Sequence, residues 1–232
     1  MKLKTRIKRI LRILFLYVPA GLVLLSLLWV VLYRFVPVRW TPLMLRRSIE
    51  NIHNKDFHNQ RTWVDIEDIA QVMVRAVIAS EDGRFMTHHG FDFEEIDKMM
   101  DEHERKGKKI RGCSTISQQT AKNCFTFGSK TWLRKGVEAY YTFLIELIWG
   151  KKRIMEVYLN VAETGKGLYG VEAASMKYFK RHASALTQDQ AICLACILPN
   201  PLVRRPDNVS SRHRTKYDTV ARNLKYTPYP FK

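Results

Sequence analysis

Three short stretches of this chain concentrate residue types that can do chemistry. The first is Ser80-Glu81-Asp82-Gly83-Arg84-Phe85, followed by His88-His89-Gly90-Phe91-Asp92. Neighbouring acids at the edge of an element are often plain surface charge, but two carboxylates held close together also raise the pKa of one of them, which a general base needs. The second, Gly112 to Asn123 (GCSTISQQTAKN), is a small-residue turn running into a helix with Ser114 and Thr115 as candidate caps. Gln118 and Lys122 lie four apart and Gln119 and Lys122 three apart, so these donors share a face beside the free N–H groups of a helix start. Such a face suits an anion or sugar hydroxyls, and an ordinary capped polar helix would look the same. The third is Arg134-Lys135-Gly136-Val137-Glu138, which alone is a routine helical salt-bridge pattern. His88 and His89 suggest a metal, but no further His/Cys/Asp spacing completes a site, so structural roles fit them better.

The elements around these stretches read as mainly helical. Asp65 to Ser80 carries apolar residues at helical spacing and leads into the first cluster. Thr131 to Trp149 is strongly amphipathic, with Leu133, Val137, Tyr140, Leu144 and Ile148 recurring at three or four. Arg153 to Val161 reads as a further helix, and Gly165, Gly167 and Gly170 interrupt the chain after it. Thr187 with Gln190 forms a capping-box pattern opening the apolar helix AICLACIL, which stops at Pro199-Asn200-Pro201. Asp101 to Arg111 is charged and reads as a mobile loop, and the basic tail after Arg204 gives no readable pattern.

Composition restricts the partners. The 232 residues contain 39 Lys+Arg against 22 Asp+Glu, a net +17, and at 46% hydrophobic the chain can fill one core but hardly two enzymatic domains. Six of the basic residues fall within residues 1–12, which contain no acid, and Ile13 to Tyr33 then runs uncharged for 21 residues. As a helix that run spans about 31 Å, close to the hydrocarbon thickness of a bilayer. It exceeds a cleavable signal's apolar stretch and shows no polar face, so it reads as an uncleaved anchor. The basic flank places residues 1–12 in the cytoplasm, 13–33 across the membrane and the rest outside. The exported part still carries 33 basic residues against all 22 acids. Lipid head groups, lipid-linked phosphates and acidic wall polymers are then within its reach, and nucleic acid is not.

Taken in order, the motifs resemble the glycosyltransferase domain of peptidoglycan synthases, the family that polymerises lipid II. EDGRFMTHHGFD is similar to its Glu-Asp-x-x-Phe-x-x-His-x-Gly-x-Asp signature, GCSTISQQTAKN to its Gly-x-Ser-Thr-Ile-x-Gln-Gln-x-x-Lys-Asn signature, and RKGVE to Arg-Lys-x-x-Glu. KKRIMEVYLNVAETGKGLYGVEAAS and AICLACILPNPLVRRP resemble the segments that follow, and Cys113 replaces a usual glycine. The likeness covers residues 65–206, with a membrane-proximal connector at 34–64 and a tail at 207–232. It implies a lysozyme-like, two-lobed, mainly α fold after one transmembrane helix. It also implies inverting attack of an acceptor 4-hydroxyl on the anomeric carbon of a growing glycan–lipid chain, with release of undecaprenyl diphosphate. In that reaction the alcohol needs a base, for which Glu81 is the candidate, and the diphosphate needs cations rather than a proton donor. Glu81 and Glu138 take the catalytic roles, Glu138 by orienting cations or assisting at the diphosphate. Arg84, Lys122, Arg134 and Lys135 are the candidate cations. Asp82, Phe85, Ser114, Thr115, Gln118, Gln119 and Asn123 complete the expected substrate contacts. No cofactor is required and no metal ligands are assigned, with magnesium or manganese at the diphosphate left open. Other wall-synthesis or division proteins stay open as partners.

Neither Ser-x-x-Lys nor Lys-Thr-Gly, the transpeptidase motifs of bifunctional members, occurs in the chain, so a monofunctional transferase is expected. Two rivals stand: a lytic, lysozyme-type hydrolase, which would need a carboxylic acid at the leaving sugar, and a non-catalytic anchored wall-binding scaffold. Cys193 and Cys196 read as small buried hydrophobes, and a disulfide between Cys113 and Cys124 is open but less favoured.

Overall fold

The computed structural model describes residue 10 and residues 13–107, 112–128, 131–206 and 211–231. It separates into two compact units, residues 1–36 and 37–232. In the first, a π-helical turn, Ile13–Tyr17, runs into α1, Val18–Phe35. Together they make an apolar helical stretch of 23 residues, Ile13–Phe35, long enough to cross a membrane, and α1 carries Pro19 within its first turn.

The second unit is built from helices with a small sheet at one edge. In chain order these are α2 (Pro42–Glu50), α3 (Gln71–Glu81), α4 (Phe93–Lys106), α5 (Ile116–Phe125), α6 (Trp132–Ile148), α7 (Gly150–Val161), α8 (Val171–Phe179), α9 (Gln188–Ile197) and α10 (Ser211–Leu224). β1 (Gln60–Arg61) runs parallel to β3 (Leu168–Tyr169), and β2 (Glu163–Gly165) pairs antiparallel on the other side of β3. The mainly helical, lysozyme-like class expected from the sequence is the one observed.

Each element bearing a candidate residue has a local cause. Helix α3 buries Met73, Val74, Ala76, Val77 and Ile78, so this apolar segment lies inside the unit and delivers Glu81 at its C-terminal end. A 3-10 turn, Ile66–Asp68, occupies the start of the segment expected to be helical. Helix α5 opens with a reciprocal capping box between Thr115 and Gln118, and α9 with the one expected between Thr187 and Gln190. Between β3 and α8, Gly170 has φ +79°, and a Cβ there would stand 2.7 Å from the carbonyl oxygen of Asn160. Asn160 accepts from the Val64 amide and donates to the Val64 and Glu156 carbonyls, so the Tyr-Leu-Asn segment is fastened beneath the site.

Two segments differ from expectation. The charged stretch expected as a loop from Asp101 is helical through Lys106: Asp92 caps α4, acids occupy its first turn, bases its last, and Gly107 closes it at φ +60°. Residues 108–111 of that stretch lie outside the described residues. The tail after Arg204 holds α10, which packs on α3 and α9. Arg75 donates to the Thr227 and Leu224 carbonyls at 2.7 and 2.9 Å, Asn223 donates to the Ala79 carbonyl, and Tyr217 donates to Asp189 at 2.7 Å.

Candidate active site

The ends of α3, α5 and α9, with one face of α10, enclose a groove. Two of its cavities, of about 930 and 310 Å³, share Gln119, Lys122, Leu198 and Pro199 on their walls. Ser80, Glu81 and Ser114 line the larger one and also a third hollow of about 290 Å³ beside Arg84 and Glu95. The groove therefore runs from Glu81 to a basic end formed by Lys122, Arg134, Arg46 and Arg47.

Glu81 is largely covered, with 8% of its side chain exposed. Its Oε1 accepts from Ser80 Oγ at 2.9 Å and lies 3.4 Å from Lys216 Nζ. Its Oε2 accepts from Gln119 Nε2 at 3.3 Å. The same amide's oxygen accepts from the buried hydroxyl of Tyr158 at 3.2 Å, which fixes which way the amide points. Burial first, and then the charges of Glu81 and Asp82, push the Tyr158 hydroxyl pKa well up, so it stays a donor.

At the basic end, Glu138 is buried, with its carboxylate held at 2.5 Å by Arg134 and at 2.5 Å by Lys135. That clamp orients the cations, and Arg134 turns into the cavity. Lys122 is open to the groove, and among the described residues its ammonium makes no hydrogen bond or ion pair. Surrounding protein atoms desolvate it and lower its pKa, opposed by Glu138 and reinforced by Arg134 and Lys135. Asn123 lines the same cavity.

Several expected substrate contacts point elsewhere. Phe85 is fully buried, with Lys151 Nζ 4.6 Å from its ring centre, and is a core residue. Asp82 is buried too: both its oxygens lie within 3.0 Å of His88 Nε2, and Oδ2 accepts from the Ile116 amide at 2.9 Å. It fastens the start of α5 to the end of α3. Thr115 and Gln118 are taken up by the capping box, and Thr115 also donates to the Gly90 carbonyl. Arg84 is paired with Asp92 and Glu94 and lines the third hollow, apart from Lys122 and Arg134. Lys135 is 42% exposed and grips Glu138 from the side. Of the expected set, Glu81, Ser114, Gln119, Lys122, Asn123 and Arg134 share the groove.

The groove also holds residues the sequence did not single out. Lys216 stands beside Glu81, Arg204 lines the same cavity while donating to the Cys196 carbonyl, and Arg46, Arg47 and Glu163 wall the basic end. Arg47 reaches Glu163 with two bonds, Nε to Oε1 at 3.0 Å and NH2 to Oε2 at 2.9 Å, tying α2 to β2. Tyr158, inside the Tyr-Leu-Asn segment, had a signal in its motif; Lys216, in a charged tail, had none.

One trio among the described residues brings possible metal-binding atoms within 4.8 Å of one another: Asp82, His88 and Asp92. The Gly90 amide donates to His88 Nδ1, which assigns the proton to Nε2 facing Asp82. With Ile116 on Asp82 and Arg84 on Asp92, these atoms are occupied by the protein, and the trio does not fit a metal.

The Transglycosylase family model matches residues 47–225, from within α2 through α10. The chain belongs to this family. The chain is 51% identical over 201 residues to the biosynthetic peptidoglycan transglycosylase of Bdellovibrio bacteriovorus, covering 84% of this chain and 80% of that one. It is 47% identical to the protein of the same name from Haemophilus influenzae, over 83% of this chain and 79% of the relative. With the Bacteroides thetaiotaomicron protein of that name the identity is 51%, over 76% and 71%.

Proposed function

We propose that this chain is a peptidoglycan glycosyltransferase that polymerises lipid II into β-1,4-linked glycan strands. The observation that carries the reading is one groove with a supported carboxylate, Glu81, at one end and the cations Lys122 and Arg134 at the other. The acceptor 4-hydroxyl passes its proton to Glu81 as its oxygen bonds to the anomeric carbon. The bond from that carbon to the diphosphate breaks, its electron pair leaves on undecaprenyl diphosphate, and Lys122 and Arg134 receive that charge. Attack opposite the leaving group turns the α linkage into β. A hydrolase would need a protonated acid at the leaving sugar. Glu81 is instead set against Lys216, and Glu138 against two cations, which favours the transferase.

The reaction as drawn uses no cofactor. A magnesium or manganese ion would enter with the diphosphate, because Glu138 and Glu163 at that end are already paired with basic side chains. The apolar helix Ile13–Phe35 serves as the anchor. Its basic flank supports a cytoplasmic N-terminus, with the groove on the outer face of the cytoplasmic membrane, where lipid II and the growing strand are met. Protease protection in spheroplasts would read this orientation.

The deciding experiment offers labelled lipid II in detergent to the purified full chain, to Glu81→Gln and to Lys122→Ala. Glycan strands from the parent, and at least about 100-fold less from each variant, are expected. Cleavage of pre-made glycan in place of synthesis would assign the hydrolase. Neither activity would leave an anchored binding protein.

A further inference from the structure

We infer that Lys216, on the C-terminal helix α10, is a positioning residue for Glu81, an inference that rests on Glu81 being the base. Lys216 Nζ donates to the Ser80 carbonyl at 3.0 Å and lies 3.4 Å from Glu81 Oε1. The first contact satisfies a carbonyl in the last turn of α3, which has no helical partner of its own at that end. The second sets a positive charge beside the carboxylate. A lysine is a flexible four-carbon stem with a compact charge, and alone it would point poorly. Here the Ser80 carbonyl fixes the ammonium, and α10 is fixed in turn by Arg75, Asn223 and Tyr217.

The consequence is a division of labour around one carboxylate. Ser80 Oγ and Lys216 hold Oε1, and Gln119 holds Oε2. An ionised carboxylate offers about four acceptor positions, so three occupied ones leave room for a single further donor, the acceptor hydroxyl. Ser80 and Gln119 come from helices adjoining the motifs, whereas Lys216 comes from a helix 135 positions further along the chain. The docking of α10 is thereby made a condition for the aim of Glu81. Because small misplacements of a reacting group cost up to ~100-fold in rate, loss of this support should appear in turnover rather than in binding.

The test is steady-state polymerisation of lipid II by the full chain, by Lys216→Gln, Lys216→Arg and Glu81→Gln, and by the Glu81→Gln/Lys216→Gln double variant, with thermal unfolding of each. Lys216→Gln should lower kcat by about 10- to 100-fold with KM within about twofold, and Lys216→Arg should recover most of it. The double variant should be no slower than Glu81→Gln alone, because a residue acting through Glu81 has nothing left to act on. Unchanged kcat in a folded Lys216→Gln overturns the inference. A rise in KM with kcat preserved also overturns it and makes Lys216 a substrate contact. If Lys216→Gln does not fold, Lys216→Arg decides: near-parental kcat supports positioning, and a folded but slow Lys216→Arg overturns it. An active Glu81→Gln would instead sink the assignment of the base, a result separable from all of these.

Discussion

The hydroxyl of Tyr158 lies 3.2 Å from Gln119 Oε1, and through that contact the buried face of α7 holds the far end of the amide whose nitrogen meets Glu81. The Ser114 carbonyl, 3.3 Å from Nε2, favours the same orientation, but without the hydroxyl the amide oxygen loses its donor and the side chain is held toward Glu81 from one end only. Tyr158→Phe should therefore slow polymerisation by roughly tenfold while costing about 1 kcal/mol of stability, the ordinary worth of one hydrogen bond. Gln119→Ala should be at least as slow and should gain nothing from an added Tyr158→Phe. Turnover and melting measurements on the three variants check the chain of contacts.

Glu138 calls for a different outcome from Glu81. Its carboxylate is 3% exposed and closed in by Arg134 and Lys135 at 2.5 Å each, so no edge is left to take a proton from an acceptor. Glu138→Gln should leave measurable polymerisation, raise KM for lipid II as Arg134 loses its orientation, and lower the unfolding free energy by about 1.5–3 kcal/mol. Kinetics of Glu138→Gln beside Glu81→Gln would separate the roles, since only the second should abolish turnover.

How legible was this in the sequence? The N-terminal apolar helix, α3, α7, the capping box of α9 and the motif residues on α5 could all be read, because hydrophobic period and capping chemistry are local. The failures share a physical cause. On α6 the apolar stripe is buried only toward its C-terminal end, at Leu144: Leu133 is 80% exposed, while Glu138 and Thr142 are buried, since the inner face of that helix carries the clamp at the basic end. Helix α10 was hidden because among its described residues only Val220 and Leu224, one turn apart, are buried, and much of its attachment is polar, through Arg75, Asn223 and Tyr217. Motif membership likewise could not separate Gln119, which faces Glu81, from its neighbour Gln118, which closes a cap; only the turn of α5 does.

Phe85 tests that distinction between motif and contact. Fully buried under Lys151 and beside His88, it has no surface to offer a sugar. Phe85→Leu should cost stability and leave KM for lipid II unchanged, and Phe85→Ala should destabilise by about 3–5 kcal/mol. Thermal unfolding with lipid II kinetics on Phe85→Leu is the check, and a raised KM in a well-folded variant would return Phe85 to the substrate site.

Lys122 couples the groove to pH in two opposite senses. Desolvation lowers its pKa below the usual 10.5, with Glu138 opposing and Arg134 and Lys135 adding to the shift. The cation that receives the diphosphate is thus lost at a lower pH than a lysine in water would lose it, and polymerisation should fall early on the alkaline side. Arginine keeps its charge throughout this range, so Lys122→Arg, whatever its rate at neutral pH, should carry its activity to higher pH. Stability moves the other way. Between the depressed folded pKa and 10.5 the unfolded chain binds a proton that the fold has released, so this site's contribution to stability rises with pH. Below the folded pKa the cost of the desolvated ammonium is present in full. Lys122→Met should remove that cost, melting above the parent near neutral pH and converging with it as pH approaches 10.5, while making almost no glycan at any pH. Melting curves of parent and Lys122→Met across the alkaline range, set beside the activity profiles of parent and Lys122→Arg, measure both halves. A parent whose activity persists as far into alkali as that of Lys122→Arg would show that the charge on Lys122 does not limit the reaction.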